Sequence, residues 1–327
     1  MTRTLSLVVP SGHLTLANLL GAISHWVPDQ RGTDTLYGVA DLHALTIKHQ
    51  PEVVRAVTLE QFALLIAAGL DPARCTLFVQ SHVPAHAELH WLLEATAYDG
   101  ELRRMVQYKQ KAATQQSVRS ALLAYPALMA ADILLYGVAD VPVGDDQRQH
   151  VELARDLAIR FNNAYGDTFV VPRAVTPPVA ARVMDLQDPT AKMSKSAPPD
   201  APGVIRLLDP PDVIRRKIAR AVTDSGSEIV FDPARKPGVS NLLTVLAACT
   251  GTAPGSLPGG LGSYRDLKQA CTEAVIAMLG PLQRRYASIT ADPAALSALV
   301  RRGGRTAQEL AAPTLARAKA AIGLAMP

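Results

Sequence analysis

The sequence predicts an α/β protein, with a doubly wound parallel sheet in its N-terminal part and an all-helical C-terminal domain. Two observations lead to this fold class. Short runs of β-branched and apolar residues alternate with helical patterns up to about residue 171, which is typical of a parallel sheet between two layers of helices. After about residue 210 only the helical spacing of apolar residues continues. The 327 residues, 48% of them hydrophobic, suffice for two domains with buried cores.

The strands and helices of the N-terminal part alternate along the chain. The predicted strands are residues 4–9, 35–40, 75–80, 140–143 and 169–171. The predicted helices are residues 15–26, 58–68, 87–96, 117–136 and 147–161, the second with a capping start at Thr58. This order predicts a Rossmann-like fold, in which ligands bind beyond the carboxyl ends of the strands.

The C-terminal part differs from the rest in charge as well as in pattern. Its predicted helices are residues 213–222, 242–249, 267–289, 293–300 and 306–322. Residues 206–327 carry 16 Lys+Arg and 9 Asp+Glu, a net charge of +7, whereas residues 1–205 carry 17 and 20, a net charge of −3. We therefore expect domains at 1–205 and 206–327. The second is typical of a domain that binds a polyanion, although a solvated arginine-rich face fits the charge equally well.

Several classes of protein are disfavoured by composition. The three cysteines, Cys75, Cys249 and Cys271, are far apart, which argues against a disulfide framework or a structural zinc site and predicts a cytoplasmic protein without its own metal site. The apolar run at the N-terminus is too short for a signal peptide. No stretch approaches about 18 uninterrupted apolar residues, so we expect no membrane span.

Two loops are suited to phosphate. The first strand is followed by Val9-Pro10-Ser11-Gly12 and a helix that begins near Thr15, so that backbone N–H groups and a positive helix end face outward. The second loop is Lys192-Met193-Ser194-Lys195-Ser196, which offers two cations and two hydroxyl groups to a pyrophosphate. Taken as an arbitrary pentapeptide, the second loop is better explained as a solvated turn.

The second loop resembles the Lys-Met-Ser-Lys-Ser loop of class I aminoacyl-tRNA synthetases. The partner motif of that class, His-Ile-Gly-His, follows the first strand, where this chain has Thr15-Leu16-Ala17-Asn18. The run from Val143 to His150, with Gly144, Asp145, Asp146 and Gln147, resembles the Gly-x-Asp-Gln-x-x-His signature of tryptophanyl-tRNA synthetases, whereas tyrosyl relatives typically have Ser-Asp-Gln-Trp-Gly-Asn. The chain is thus similar to bacterial tryptophanyl-tRNA synthetases over nearly its whole length.

The helix at residues 117–136 places Tyr125, Met129, Asp132 and Tyr136 on one face. A buried carboxylate is costly unless it has a hydrogen-bond donor, and an indole N–H would supply one; a carboxylate satisfied by the protein itself is the alternative. The resemblance implies that tryptophan is bound by Asp132, Met129, Tyr125, Gln147, His43, Leu5, Val141 and Val143. For His43, a capping or orienting role is equally expected.

The resemblance also implies a reaction and its other participants. The chain would activate L-tryptophan with ATP and Mg²⁺ and transfer it to tRNA(Trp) as a homodimer. Residues 1–205 would be the catalytic nucleotide-binding domain with a helical insertion, and residues 206–327 would bind the anticodon end of the tRNA. The catalytic residues would be Lys192, Lys195, Ser194 and Lys111. The ATP contacts would be Val9, Pro10, Ser11, Ala17, Asn18, Gly144, Asp145, Asp146, Val183, Lys192, Met193, Ser194, Lys195 and Ser196, with Asp146 also placed to cap the helix that it precedes.

Two positions depart from the pattern of these synthetases. Relatives usually carry Gly at the position of Ala17, where adenine approaches the backbone, and Gln at the position of Val9. These departures keep two alternatives open. One is an auxiliary paralogue that resists a tryptophan-like inhibitor or binds tRNA without charging it. The other is a tyrosyl-type enzyme.

Overall fold

Two parallel sheets, with five strands in the residues that the structure describes, form the centre of the molecule. The computed structural model describes residues 3–113, 117–175, 181–257 and 260–324, with only the backbone at Asp145 and Asp146. Strands β1 (Thr4–Val8), β2 (Gly32–Val39) and β3 (Cys75–Val79) form one parallel sheet in that order. Strands β4 (Asp140–Pro142) and β5 (Arg173–Val175) pair in parallel, and β4 lies beside β1. The two sheets therefore adjoin where β1 meets β4, the place at which ligands bind in doubly wound folds.

The fifth strand was predicted wrongly at residues 169–171. It lies at Arg173–Val175 because Asn162 fixes Phe169 elsewhere: the Asn162 amide donates to the Phe169 carbonyl at 2.8 Å, and its oxygen accepts from the Phe169 N–H at 2.9 Å. The Phe169 ring packs against Phe161 with 4.8 Å between centroids.

The helices of the N-terminal part cover both faces of the sheet. The first has a π-helical turn, Leu19–Ile23, between α1 (Leu16–Asn18) and α2 (Ser24–Trp26). The others are α3 (Pro51–Ala67), α4 (Ala85–Glu94), α5 (Asp99–Arg104), α6 (Val106–Ala112), α7 (Ser120–Leu135) and α8 (Asp145–Tyr165). The predicted capping start at Thr58 is wrong, because α3 begins seven residues earlier at Pro51, a residue favoured in the first turn, and Thr58 is buried within the helix.

Among its described residues, the C-terminal part has the α-helices α9 (Pro211–Ala219), α10 (Pro237–Thr250), α11 (Tyr264–Thr290) and α12 (Pro293–Ala321). The two helices predicted at 293–300 and 306–322 are one helix. Gly303 and Gly304, which separated them in the sequence, instead allow close packing, since a Cβ at Gly303 would lie 1.8 Å from the Leu77 carbonyl of β3.

Alternate strand residues enter two cores. Leu5, Leu36 and Phe78 pack with α4, α7, α8 and α12, whereas Tyr37 and Leu77 pack on the other face with α3, α10 and α11. The helices of the C-terminal part thus contribute to both sides of the sheet. Within the described ranges, no helix is both long enough and apolar enough to span a membrane.

Candidate active site

The candidate site lies where β1, β2 and β3 end. Because the strands are parallel, the segments that follow them meet at one edge of the sheet. Val9 follows β1, the short 3₁₀ helix Leu42–Thr46 follows β2, and the short 3₁₀ helix Gln80–His82 follows β3. Three sequence-distant segments therefore face a common cleft.

A buried side chain of α3 fixes the loop after β1 by hydrogen bonds to its main chain. The side chain of Gln61, which is fully buried, donates from Nε2 to the Gly12 carbonyl at 2.7 Å and to the Val9 carbonyl at 3.5 Å. Pro10 is buried, whereas Ser11 is exposed. Gln61 thereby fixes the path of the loop without occupying the cleft.

Thr15 and Asn18 close the start of α1. The Asn18 Oδ1 accepts hydrogen bonds from the Thr15 N–H at 3.0 Å and from the Thr15 hydroxyl at 3.1 Å. Ala17 is half-buried and packs against the core. The described contacts of Asn18 thus use its oxygen and leave the amide nitrogen as the atom that can serve a ligand.

The Lys-Met-Ser-Lys-Ser loop begins on a short antiparallel hairpin. Met184 pairs with Lys192, and the Met193 N–H donates to the carbonyl of buried Val183 at 3.3 Å. Met193 is buried in the core, so the hairpin is anchored on this side. The Ser194 and Ser196 hydroxyls bond to each other at 2.9 Å.

The two signature loops touch each other. The Lys195 ammonium donates to the Val9 carbonyl at 2.5 Å. A Cβ at Gly12 would lie 2.1 Å from the Lys195 carbonyl, so only glycine permits this approach. Burial lowers the pKa of Lys195 to about 8. The contact uses the Val9 main chain, so a valine side chain at this position does not prevent it.

A buried carboxylate, Asp132, lies against the segments that follow β2 and β3. Asp132 Oδ1 is 2.6 Å from His86 Nδ1 and accepts from the Gln80 amide at 2.6 Å, and Oδ2 is 2.8 Å from His43 Nε2. His86 Nε2 lies 2.9 Å from the Tyr136 hydroxyl. Burial raises the pKa of Asp132, but hydrogen bonds with His43 and His86 outweigh it, so that the net shift is downward and the carboxylate stays ionised.

One acceptor position of Asp132 remains. A carboxylate offers about four lone-pair directions. Among the residues that the structure describes, two donors occupy Oδ1 and one occupies Oδ2. Asp132 can therefore take one more donor, at Oδ2, without losing a bond to the protein.

Aromatic and cationic side chains border this carboxylate. The Tyr125 ring lies edge-on to His43, with centroids 6.2 Å apart, and its hydroxyl is 2.8 Å from His150 Nε2. Lys111 Nζ lies 5.4 Å from the Tyr125 centroid, and the surrounding protein lowers the pKa of Lys111 by removing part of its hydration. Met129 is half-buried in the same face of α7.

The remaining predicted pocket residues lie on β1, β4 and α8. Leu5 and Val141 are buried in the core, and Val143 is half-buried with its N–H donating to the Val175 carbonyl at 3.1 Å. Gly144, not Asp146, is the N-cap of α8, and the Gln147 N–H donates to its carbonyl at 2.9 Å. The side chains of Asp145 and Asp146, and hence their predicted ATP contacts, lie outside the described residues.

Sequence reasoning missed Gln80, His86 and His150 as members of the site. Gln80 directly follows a strand predicted to end at the ligand edge, so its position was available as a signal. His150 lies within the Gly-x-Asp-Gln-x-x-His motif, whereas no spacing in the sequence connects His86 to Asp132. In the described part of the chain, no three His, Cys, Asp or Glu side chains are arranged to hold a metal.

Parallel strands covered by helices, with the Lys-Met-Ser-Lys-Ser loop seated on the loop after β1, define the catalytic part of a class I aminoacyl-tRNA synthetase. The family model described as tRNA synthetases class I (W and Y) matches residues 2–280. The chain belongs to this family.

The relatives that the chain resembles are full-length matches. A Streptomyces avermitilis protein named tryptophan–tRNA ligase 1 is 56% identical over 329 residues, covering 99% of both chains. The crystal structure of tryptophanyl-tRNA synthetase from Mycoplasma pneumoniae matches with a TM-score of 0.88 and 38% identity, covering 99% of this chain and 98% of that one. The crystal structure of tryptophanyl-tRNA synthetase from Campylobacter jejuni, complexed with ADP and tryptophan, matches with a TM-score of 0.83 and 30% identity. The match covers 98% of this chain and 100% of that one.

Proposed function

We propose that the chain activates L-tryptophan with ATP and transfers it to tRNA(Trp). The observation that carries tryptophan as the substrate is the remaining acceptor position of buried Asp132, whose partner His43 packs against the Tyr125 ring. An indole N–H fills that position, while a phenyl ring leaves it empty. Tyr125 and Met129 pack on the ring, and Leu5, Val141 and Val143 supply the apolar wall, with Gln147 toward the amino-acid group and His43 orienting Asp132.

The first step forms tryptophanyl-adenylate. A carboxylate oxygen of tryptophan attacks the α-phosphorus, the bond from that phosphorus to the bridging oxygen breaks, and pyrophosphate leaves with the electron pair. The protein holds the reactants in line and neutralises charge. Lys192, Lys195 and Lys111 face the leaving pyrophosphate, and Ser194 and Ser196 donate to its oxygens.

The nucleotide is held by the loops that meet at Lys195. Val9, Pro10 and Ser11 border the triphosphate, Ala17 lies under the adenine, and the Asn18 amide reaches a phosphate or ribose oxygen. Val183 and Met193 back the loop, and the N-terminus of α8 at Gly144–Asp146 faces the ribose. Mg²⁺ fits this site as a partner of the phosphate oxygens, since the described residues offer cations there and no carboxylate cluster.

The second step moves tryptophan to the terminal ribose of tRNA. We assign docking of the anticodon end of that tRNA to a domain of residues 206–327. Support comes from arginines on α12: Arg301, Arg302 and Arg305 are exposed, and no ion pair is described for them in residues 260–324 or elsewhere in the described ranges. Three guanidinium groups within two helical turns suit a phosphate backbone.

Replacing Arg301, Arg302 and Arg305 together by Glu is expected to raise the KM for tRNA at least tenfold. The association constant for tRNA should also depend less on salt: the slope of its logarithm against the logarithm of the salt concentration should become shallower by about 0.7–0.9 for each phosphate that the variant no longer neutralises. Tryptophan-dependent ATP–pyrophosphate exchange should stay within twofold. Charging assays across a salt series measure both. Arg103→Glu, an exposed charge reversal on α5, is the matched control. An unchanged KM for tRNA in the triple variant would exclude this surface.

The catalytic ammonium of Lys195 should make the reaction pH-dependent. Because its pKa is lowered to about 8, the cation is lost as pH rises through 8, and kcat/KM for ATP should fall there. Bound triphosphate favours the cation, so the corresponding fall in kcat lies at higher pH. Pyrophosphate exchange at limiting ATP, from about pH 6.5 to about 9.5, measures this. The fall in kcat/KM near pH 8 should be absent from any residual activity of Lys195→Arg, because arginine keeps its charge. The same fall in that variant would contradict the assignment.

We also propose a homodimer. Trp91 on α4 is 68% exposed and Tyr98, just after α4, is 65% exposed, and a dimer interface would cover two such large rings. Light scattering of the purified chain should therefore give twice the mass of one chain.

The decisive experiment is tryptophan-dependent ATP–pyrophosphate exchange followed by charging of tRNA(Trp). Exchange with tryptophan and charging of this tRNA together support the proposal. Exchange with tyrosine instead would establish the tyrosyl-type alternative. Exchange without charging, or tRNA binding without either, would establish the auxiliary paralogue.

A further inference from the structure

Arg206 binds the end of the Lys-Met-Ser-Lys-Ser loop through its side chain. Its guanidinium donates to three consecutive carbonyls: to Ala197 at 3.0 Å, to Pro198 at 2.7 Å and to Pro199. These residues directly follow Ser196. Arg206 itself is only 8% exposed, so the guanidinium is withdrawn from water to make these bonds.

The main chain of the same residue is attached to the other signature motif. Arg206 forms an antiparallel bridge with Thr15, the residue that precedes α1. On either side of it, the Leu16 N–H donates to the Ile205 carbonyl at 2.9 Å, and the Leu207 N–H donates to the Leu14 carbonyl at 3.0 Å. One residue thus joins the start of α1 to the end of the lysine loop.

Residues 203–209, here called the return segment, are also bound by side chains of two C-terminal helices. Lys217 of α9 donates to the Val204 carbonyl at 2.7 Å and to Asp209 at 2.8 Å. Gln283 of α11 donates to the carbonyls of Leu207 and Asp209, both at 2.9 Å. The segment is therefore fixed to the fold by contacts that do not reach the lysine loop.

A contribution to stability does not by itself explain why the Arg206 guanidinium is buried against these three carbonyls. Pro198 and Pro199 are exposed, so water could satisfy their carbonyls without any side chain. Burying a guanidinium costs free energy, and its Nε has no described partner within the residues that the structure covers. What the guanidinium uniquely supplies is a fixed geometry for three carbonyls next to Lys195.

We propose that Arg206 is a positioning residue, which fixes the end of the Lys192–Ser196 loop relative to Thr15 so that Lys195 stays over the Val9 carbonyl. This rests on the proposed function, because Lys195 acts on ATP. Arg206 touches neither substrate. It acts on the ATP step only, since no described contact connects it to Asp132 or Tyr125.

The test compares Arg206→Lys and Arg206→Ala with the wild-type enzyme in pyrophosphate exchange. Arg206→Ala should raise the KM for ATP at least tenfold and lower kcat, while the dissociation constant for tryptophan stays within twofold. Arg206→Lys, which retains one charge but not the planar fork, should give an intermediate KM. Trypsin should cut the loop after Lys192 and Lys195 faster in both variants.

Lys217→Met is the matched control, because it removes two hydrogen bonds from the same return segment on the side away from the loop. It should lower the thermal midpoint to an extent comparable with Arg206→Ala while leaving the KM for ATP and loop cleavage within twofold. If Lys217→Met and the Arg206 variants alter ATP and tryptophan parameters alike, Arg206 is a stability residue and the proposal is overturned.

A double variant tests whether Arg206 acts through Lys195. In a Lys195→Ala background, Arg206→Lys should change the exchange rate less than twofold, because its effect passes through Lys195. Additive losses would overturn the proposal even if Arg206→Ala does not fold. If the wild-type chain shows no tryptophan-dependent exchange, the proposed function fails, yet faster tryptic cleavage of the loop in Arg206→Lys still supports its positioning role, and unchanged cleavage refutes it.

Discussion

Lys195→Ala is expected to slow tryptophanyl-adenylate formation by about 10²–10³, the usual cost of removing one preorganised donor from a developing negative charge. The reason is the position of the ammonium: it lies at the junction of the two signature loops, 2.5 Å from the Val9 carbonyl, where it can follow charge onto the leaving pyrophosphate. Tryptophan binding should be unaffected. Single-turnover pyrophosphate release and equilibrium tryptophan binding measure the two effects separately.

Lys319→Ala is the control for this experiment. Its ammonium lies 3.3 Å from Glu88 on the surface, and its removal should leave both measurements unchanged. A Lys195→Ala enzyme with a near-normal rate of adenylate formation, or one that has lost tryptophan binding, would remove Lys195 from its assigned role.

Asp132→Ala is expected to weaken tryptophan binding by about 10–100-fold, the value of a hydrogen bond to a charged group, and to reduce discrimination against phenylalanine by a similar factor. The side chain supplies the acceptor for the indole N–H in a buried site that water does not rescue. Exchange kinetics with both amino acids measure the ratio. Stability should also fall, because His43, His86 and Gln80 lose their common acceptor.

Tyr136→Phe separates recognition from stability. It removes the hydroxyl that lies 2.9 Å from His86, on the side of the imidazole ring away from Asp132, and leaves the carboxylate itself intact. It should lower the thermal midpoint with less than a threefold effect on discrimination. If Tyr136→Phe and Asp132→Ala reduce discrimination equally, the carboxylate does not read the indole directly.

The sequence was most informative where one local pattern determines the outcome. Strands β1 to β4 and the helix that carries Asp132 were predictable from short-range spacing, whereas the lysine loop was identified by its resemblance to the class I synthetase motif. Tertiary packing decided the rest. Two adjacent glycines, Gly303 and Gly304, are typical of a break between helices, yet here they lie within one helix and Gly303 packs closely against β3. The ligands of Asp132 come from three separate segments, so no spacing along the chain predicts their meeting, and Arg206 gave no signal among sixteen basic residues of the C-terminal part.

The close contact between Gly303 and Leu77 has a consequence for how the chain is made. Strand β3 is an edge of its sheet, and α12 lies along it. An uncovered parallel edge is a site for non-native pairing. At 5–20 residues per second, the roughly 220 residues between β3 and α12 take on the order of tens of seconds to synthesise. Throughout that interval α12 cannot cover the β3 edge, so we expect a chain terminated before α12 to aggregate rather than to fold as a shorter enzyme.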